Sequence, residues 1–588
     1  MADLNPNSSQ KPKELSMETR LILAFALMGL VLVAAQYLMP NTKPQPKPAA
    51  KPEQSQTQPP AAAEAQARPQ ASLPPAPVPG KAGKARAKAV AALPVVQSQL
   101  RETKVIETDV YRVELSNEGA NVRSWKLTHK RGKDYRYKDS NGQPLELTSV
   151  EGNTKAGWPF SYVFPGTKPA TDLNKALFSV KQPDPLRLEF EYSDGNVVAR
   201  KTYQFEQKAY RLTITSDLVQ GTQGLPHLLS WRGGFGDRTA HNEASQQHAV
   251  YFDSSNNKLV VEDAKTAKNG PVLHTGSFQF AGLEDSYFAG VVLPEPGTVL
   301  DFQVWQDAYK LKPDGDDVPH VGSAIGGQSS LKLKLFVGPK DLDVLRATDP
   351  KLDQIIDWGW FWFISKPLFL GLHWVHDNLV NNWGWAIVGV TVIINFLMLP
   401  LRYSSMRSMT KMSSLKPQID ALNERYKGVG MRDPKKQKQN EELMALYQKH
   451  GINPMGGCVP ILLQMPFFFA FYKVLSTVIE LRGANWLWVT DLSQPETIPI
   501  RMLPIGMLVS QVLVQKMTPS TTTDPSQKTM MMVMPVVFSV MFWSAPSGLV
   551  LYWLTGNVVA IFQQYFFNKA APAPVPAATI AKKSNRLR

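Results

Sequence analysis

Eight residues in the C-terminal half of the chain are polar groups set in apolar surroundings. They are Thr391, Asn395 and Arg402 in "TVIINFLMLPLR", Gln464 in "LLQMP", Gln511 in "LVSQVLVQK", and Tyr552, Trp553 and Thr555 in "LYWLTGN". No catalytic residue and no metal ligand is assigned among them. Their chemistry is hydrogen bonding, with one cation, toward something that passes by. An amide in hydrocarbon costs a few kcal/mol unless it meets a partner or water. Asn395 sits about seven residues from the end of its helix, roughly 10 Å deep at 1.5 Å per residue. Thr391 lies four residues earlier and Arg402 seven later, which predicts all three on one face of one helix. Taken singly, such groups can merely bond helix to helix. Taken as a set, they point to a shared wet cavity.

Five apolar runs must hold these residues, at 383–402, 458–479, 498–515, 530–545 and 547–567, each near the length that crosses hydrocarbon. The net charge of +15 is concentrated in loops and tails. Residues 402–457 carry eleven Lys/Arg against five Asp/Glu. The loops at 403–457 and 516–528 and the tail at 568–588 fall on one side of the five helices, which the excess of Lys/Arg makes cytoplasmic. The loop 403–457 is expected to be a helical hairpin with an apolar stripe of Met406, Met409, Met412, Leu415, Ile419 and Leu422. That stripe either meets apolar partners, with Met406, Met409 and Met412 as the contact, or zips the hairpin shut, the favoured reading.

Upstream, residues 351–378 mix four tryptophans with Lys366, His373 and Asp377, and Pro367 is expected to interrupt the run. This suits an amphipathic helix at the bilayer interface; a soluble helix packed on the preceding domain is the alternative. Residues 101–345 alternate apolar and polar, as in Tyr111, Val113, Leu115 or Leu331, Leu333, Leu335, Val337, which predicts a large antiparallel β-sandwich. His227, His241, His248 and His274 have no ligand-like spacing. Residues 40–100 are a Pro/Ala-rich, disordered tether. Residues 21–39 fit a membrane anchor better than a cleaved signal, behind a cytoplasmic N-terminus at 1–20. Cys458 is the single cysteine, so no intramolecular disulfide forms, and it is read as a packing residue. The fold class is a polytopic α-helical membrane protein of six spans, with a five-helix core at 383–567 and a large extracytoplasmic sandwich.

Three blocks, "MALYQKHGINPMGGCVPILLQMPFFFAFYKVL", "VQKMTP" and "APSGLVLYWLTGNVVAIFQQ", closely resemble the bacterial YidC membrane-protein insertases of the YidC/Oxa/Alb family. "YRVELSNEGANVRSWKL" resembles the Gram-negative form with its large periplasmic domain. The resemblance implies an insertase and chaperone that integrates nascent inner-membrane proteins through a polar groove open to cytoplasm and lipid. It implies no nucleotide hydrolysis, no cofactor and no enzyme reaction; partners would be nascent clients, lipids, the ribosome and the Sec translocon, with no specific nucleic-acid sequence. No Walker-type loop is present, in keeping with that. Family members usually carry an arginine where this chain has Asn395. An amide offers hydrogen bonds without net charge, so Arg402 is expected to supply charge at the groove mouth by snorkelling. Two rivals remain. A solute transporter requires repeated halves with paired charges at the midplane, and neither is found. The other is an anchored periplasmic carbohydrate enzyme or binding protein, since large sandwiches often bind sugars; such an enzyme would lose all activity on deletion of residues 110–330, whereas an insertase should keep much of it.

Overall fold

The computed structural model describes residues 94–570, apart from 133, 140, 239–246, 311–316, 429–432, 452–458 and 519–524. The expected N-terminus, anchor, most of the tether, His241, Cys458 and most of the basic tail lie outside the described residues.

Alternation builds the sheet domain. In Val197–Phe205 the residues Val197, Ala199, Lys201, Tyr203 and Phe205 point inward, and in Arg187–Ser193 so do Leu188, Phe190 and Tyr192. Each large apolar side chain buried this way contributes about 1.5–3 kcal/mol. The strands form a fourteen-stranded, a four-stranded and a two-stranded sheet. The expected sandwich layers are thus halves of one continuous sheet. Val272–Glu284 joins them: its first half pairs with Val299–Lys310 and its second with Phe288–Leu293. The halves meet face to face where Ser216 Oγ bonds His227 Nε2 at 2.8 Å and Lys201 Nζ lies 4.1 Å from the Tyr162 ring centre. Trp125 of the four-stranded sheet packs on Phe205 from one half and Trp231 from the other.

Lys201 is the exception that the alternation forces inside. Its ammonium is fully buried and donates to the carbonyls of Gly119, Ala120 and Phe160 at 3.3, 3.2 and 2.8 Å, tying two loops to the strand. Burial holds its pKa well below the usual lysine value. The folded state therefore penalises the charged form, so stability should rise as pH climbs from the lowered folded pKa toward the unfolded value near 10.4. Thermal melts of the full chain should show this alkaline gain relative to Lys201→Met, in which it should vanish.

Two short helices complete the domain, α1 (Val150–Ala156) and α2 (Leu342–Thr348), the latter capped by Asp341, whose carboxylate accepts from the N–H groups of Asp343 and Val344. Next comes α3 (Trp362–Asn378), in which Pro367 does not interrupt the helix. It buries Leu368, Phe369, Leu372 and Val375 and exposes Trp362, Phe363, Leu370 and Trp374.

The run 383–402, expected as one helix, is two: α4 (Trp383–Leu397) and α5 (Leu399–Ser414), bent by 58°. Pro400 has no N–H for the Phe396 carbonyl, which ends the ladder there. Gly384 lets α4 start tight against Trp486, since a Cβ there would lie 2.2 Å from the indole. The hairpin follows as α6 (Lys416–Arg425) and α7 (Pro434–Lys449), with α5 running into α6. Leu415, Ile419 and Tyr447 form its core, with Met412, Leu443 and Leu446 packed on it. Met412 therefore zips the hairpin, while Met406 and Met409 are half-buried along α5. The remaining helices are α8 (Val459–Thr477), α9 (Met502–Met517), α10 (Pro525–Met541) and α11 (Ser547–Ala570). Among the described residues no single helix is both long and apolar enough to cross a membrane; α4 and α5 pass only as a bent pair.

The sheet domain is fastened to the helices by charge. Arg482, after α8, donates through Nε to Asp237 Oδ2 at 2.5 Å and through Nη2 to the Lys138 carbonyl at 2.7 Å. The Asp237 N–H in turn donates to Asp285 Oδ2. Beyond the sheet domain, Lys473 of α8 pairs with Asp357 at 2.6 Å and His373 of α3 with Glu480 at 3.2 Å, which tie the helical part together.

Candidate functional site

The bend at Met398 sets up the site. It carries Arg402 off the axis of α4, so Thr391, Asn395 and Arg402 do not lie on one face of one helix as the seven-residue spacing suggested. Arg402 nevertheless returns to Asn395 through space. A cavity of about 20 Å³ is lined by Ile394, Asn395, Met398, Leu401, Arg402, Gln464, Phe467 and Tyr552. That is room for about one water molecule.

Each polar group is held. The Asn395 amide donates to the Thr391 carbonyl at 2.8 Å, one turn back, which fixes its rotamer. Arg402 Nη1 donates to Gln563 Oε1 at 2.7 Å, and Gln563 Nε2 reaches back to the Asn395 carbonyl at 3.4 Å. Gln563 of α11 thus clasps both. Tyr552 stacks on Phe471 at 4.2 Å and lies within hydrogen-bonding reach of Gln464. Among the described residues no carboxylate pairs with Arg402. A half-buried cation whose partner among the described residues is an amide keeps its charge and N–H donors available to an anion.

The other four candidates lie elsewhere. Thr391 is fully buried and its hydroxyl donates to the Ile387 carbonyl at 2.6 Å. Thr555 does the same toward Leu551 at 2.8 Å. Gln511 accepts from Trp553 Nε1 at 3.3 Å, which joins α9 to α11. Trp553 also packs against Phe468, Phe538 and Phe542. Beside it the Asn557 amide donates to Ser510 at 3.0 Å. Thr391 and Thr555 thus bond back within their own helices, while Gln511, Trp553 and Asn557 serve helix-to-helix bonding. Gln563 was missed by sequence reasoning; its signal was the amide pair in "FQQY", just over two turns beyond Thr555, the last polar group singled out.

Residues 374–574 match the family described as the 60Kd inner membrane protein, and residues 103–370 match the YidC periplasmic domain. A curated relative named membrane protein insertase YidC, from Ralstonia nicotianae, is 34% identical over 514 residues, covering 84% of this chain and 88% of its own. One of the same name from Geotalea daltonii is 33% identical, covering 80% and 87%. A crystal structure of an active YidC insertase with its first transmembrane domain resolved is 18% identical, with a TM-score of 0.35, and covers 81% of this chain and 95% of its own. With two family matches in series and relatives alike over most of both lengths, this chain belongs to the YidC family of membrane protein insertases.

Proposed function

We propose that the insertion step runs through the Asn395–Arg402 cavity, widened when a client enters between α4, α5, α8 and α11. The observation that carries this reading is the Arg402 guanidinium, held beside Asn395 with no carboxylate among the described residues. It attracts the polar, acidic tail that must cross, while the client's hydrophobic segment moves sideways into lipid. Burial of that segment at about 25 cal/mol per Å² drives transfer without nucleotide. Exposed apolar residues on α9 and α10, such as Val509, Met532 and Val540, face lipid in this reading. At 16 residues α9 is only about 24 Å long, which favours local bilayer thinning.

In the same reading the chain has six spans with a cytoplasmic N-terminus. The sheet domain lies in the periplasm and α3 at the interface, through its exposed Trp362 and Trp374. The hairpin and basic tail face cytoplasm, where the ribosome delivers clients, and the chain works alone or beside the Sec translocon.

Reconstitution in liposomes with a small single-span client, scored by protease protection, tests the reading. In a Cys458→Ser background, single cysteines at Asn395 and Gln464 should react with soluble thiol reagents added from the hairpin side. One at Thr391, buried and off the cavity, should stay silent. Silence at all three positions, or insertion indifferent to a blocked cysteine at 395, would sink it.

A further inference from the structure

The sheet domain holds a second cavity, a half-open cleft of about 310 Å³, lined only by sheet-domain residues. Its volume falls at the lower end of small-molecule sites. Insertion gives it no task.

The lining restricts what could bind. Each of the three cations in the wall has a carboxylate partner: Arg123 pairs with Glu118 at 2.8 Å, Arg232 Nε with Asp307 at 3.0 Å and Lys175 with Asp172 at 3.9 Å. A charged ligand therefore finds little net field. The apolar part of the wall, Ala156, Tyr162, Val163 and Trp158, whose ring is capped by the Arg123 guanidinium at 4.4 Å, is interleaved with polar groups. A hydrophobic client segment finds no continuous apolar face there. An extended peptide is excluded differently. Ser161–Val163 is the terminal strand of the fourteen-stranded sheet, the natural place for an added strand. There the Asn174 side chain already takes both positions, accepting from Tyr162 N at 2.7 Å and donating to Tyr162 O at 2.9 Å. The strand edge is closed by a built-in amide.

What remains is a neutral ligand rich in groups that both donate and accept. Asn153 is 1% exposed, and neither end of its amide has a partner among the described residues; Asn121 Oδ1 is in the same state. Buried amides left this way cost about 1–3 kcal/mol each. We propose that this cleft binds a saccharide unit, whose ring hydroxyls pair with the Asn121 and Asn153 amides and donate to the Ser161 and Ser230 hydroxyls, whose own protons go to the Trp158 and Ser161 carbonyls. Arg123 and Trp158 together form one side of the seat. The sheet domain then anchors the insertase to a glycan on its own side of the membrane, independently of client handling.

The test uses the full-length chain in nanodiscs free of glycosidic detergent, with N-acetylglucosamine and its β-1,4-linked disaccharide as probes. Saturation-transfer NMR should detect both, with a Kd of about 1 mM or tighter. Thr154 is exposed at the rim on α1, so Thr154→Trp fills the cleft from outside without disturbing the core. It should weaken binding at least tenfold while insertion in liposomes stays at the parent rate; Thr154→Ser should bind as the parent does. Three results overturn the proposal: no transfer to either probe up to about 50 mM, equal binding by Thr154→Trp, or capture of an extended peptide in the cleft. Because insertion is read separately, failure here leaves the Arg402 reading standing, and the reverse also holds.

Discussion

Arg402→Gln should slow insertion of a client with an acidic translocated tail by about tenfold or more, while a neutral-tailed version of the same client proceeds within about twofold of the parent rate. The magnitude follows from charge and distance. A carboxylate drawn to within about 8 Å of the guanidinium, at an effective dielectric near 20, gains about 2 kcal/mol. A 1.4 kcal/mol change is tenfold. The alternative is that Arg402 merely holds α11 through Gln563, to which it donates at 2.7 Å. Three variants separate the two. Arg402→Lys keeps the charge but not the planar fork, and should retain most of the preference for acidic tails. Gln563→Leu removes the clasp but leaves the cation, and should slow both clients alike, by loosening α4 against α11. Arg402→Gln keeps an amide at the position and removes only charge. Equal slowing of acidic and neutral tails by Arg402→Gln would assign Arg402 to packing.

The contrast between Asn395 and Arg402 also shows how far local pattern reaches. Inward strand positions were legible because alternation is a property of five or six neighbouring residues: Tyr111, Val113, Leu115, Leu331, Leu333, Leu335 and Val337 are all buried as the pattern implies. The same rule applied to Val197–Phe205 places Lys201 inside, but composition argues the opposite for a lysine, and only the three carbonyls supplied by distant loops resolve it. The four cavity residues found from sequence, Asn395, Arg402, Gln464 and Tyr552, were visible as polar interruptions of apolar runs. Their geometry was not. A seven-residue spacing was read as one helical face, whereas Pro400 ended the helix between them. Gln563 lies 168 residues from Asn395, and no periodicity connects residues so far apart. Thr391, Gln511, Trp553 and Thr555 look identical in sequence to the cavity residues. Only packing decides that Gln511 and Trp553 bond across α9 and α11 while the two threonines bond back along their own helices.

Arg482 illustrates the largest non-local term. Its partner Asp237 is 245 residues away, and the side chains are 9% and 1% exposed. Arg482→Met should loosen the sheet domain against the helices, because removing one partner of a buried ion pair costs about 3–5 kcal/mol. The measurement is limited proteolysis between Thr348 and Trp362 together with thermal unfolding of the full chain, in which one transition should split into two. Asp237→Asn in the same background should recover part of the loss by removing the buried charge, giving a coupling of at least 1 kcal/mol in the double-mutant cycle. Additive losses would mean the pair is incidental. The neighbour Asp285 sets the pH response of this joint. It is buried, and burial pushes its pKa up to about 6, against backbone donors at Asp237, Tyr287 and Phe288 that favour the anion. A carboxyl raised in the folded state binds its proton more tightly there than when unfolded. Its stabilising contribution is therefore full below the unfolded value near 3.9 and is lost as pH rises through about 6, by about 3 kcal/mol in all. Asp285→Asn should flatten that component between about pH 4 and 6 relative to the parent. The joint should accordingly loosen toward neutral pH, with Arg482 as the contact that keeps it closed. A stability difference between parent and Asp285→Asn that is constant across this window would remove Asp285 from the account and leave Arg482–Asp237 acting alone.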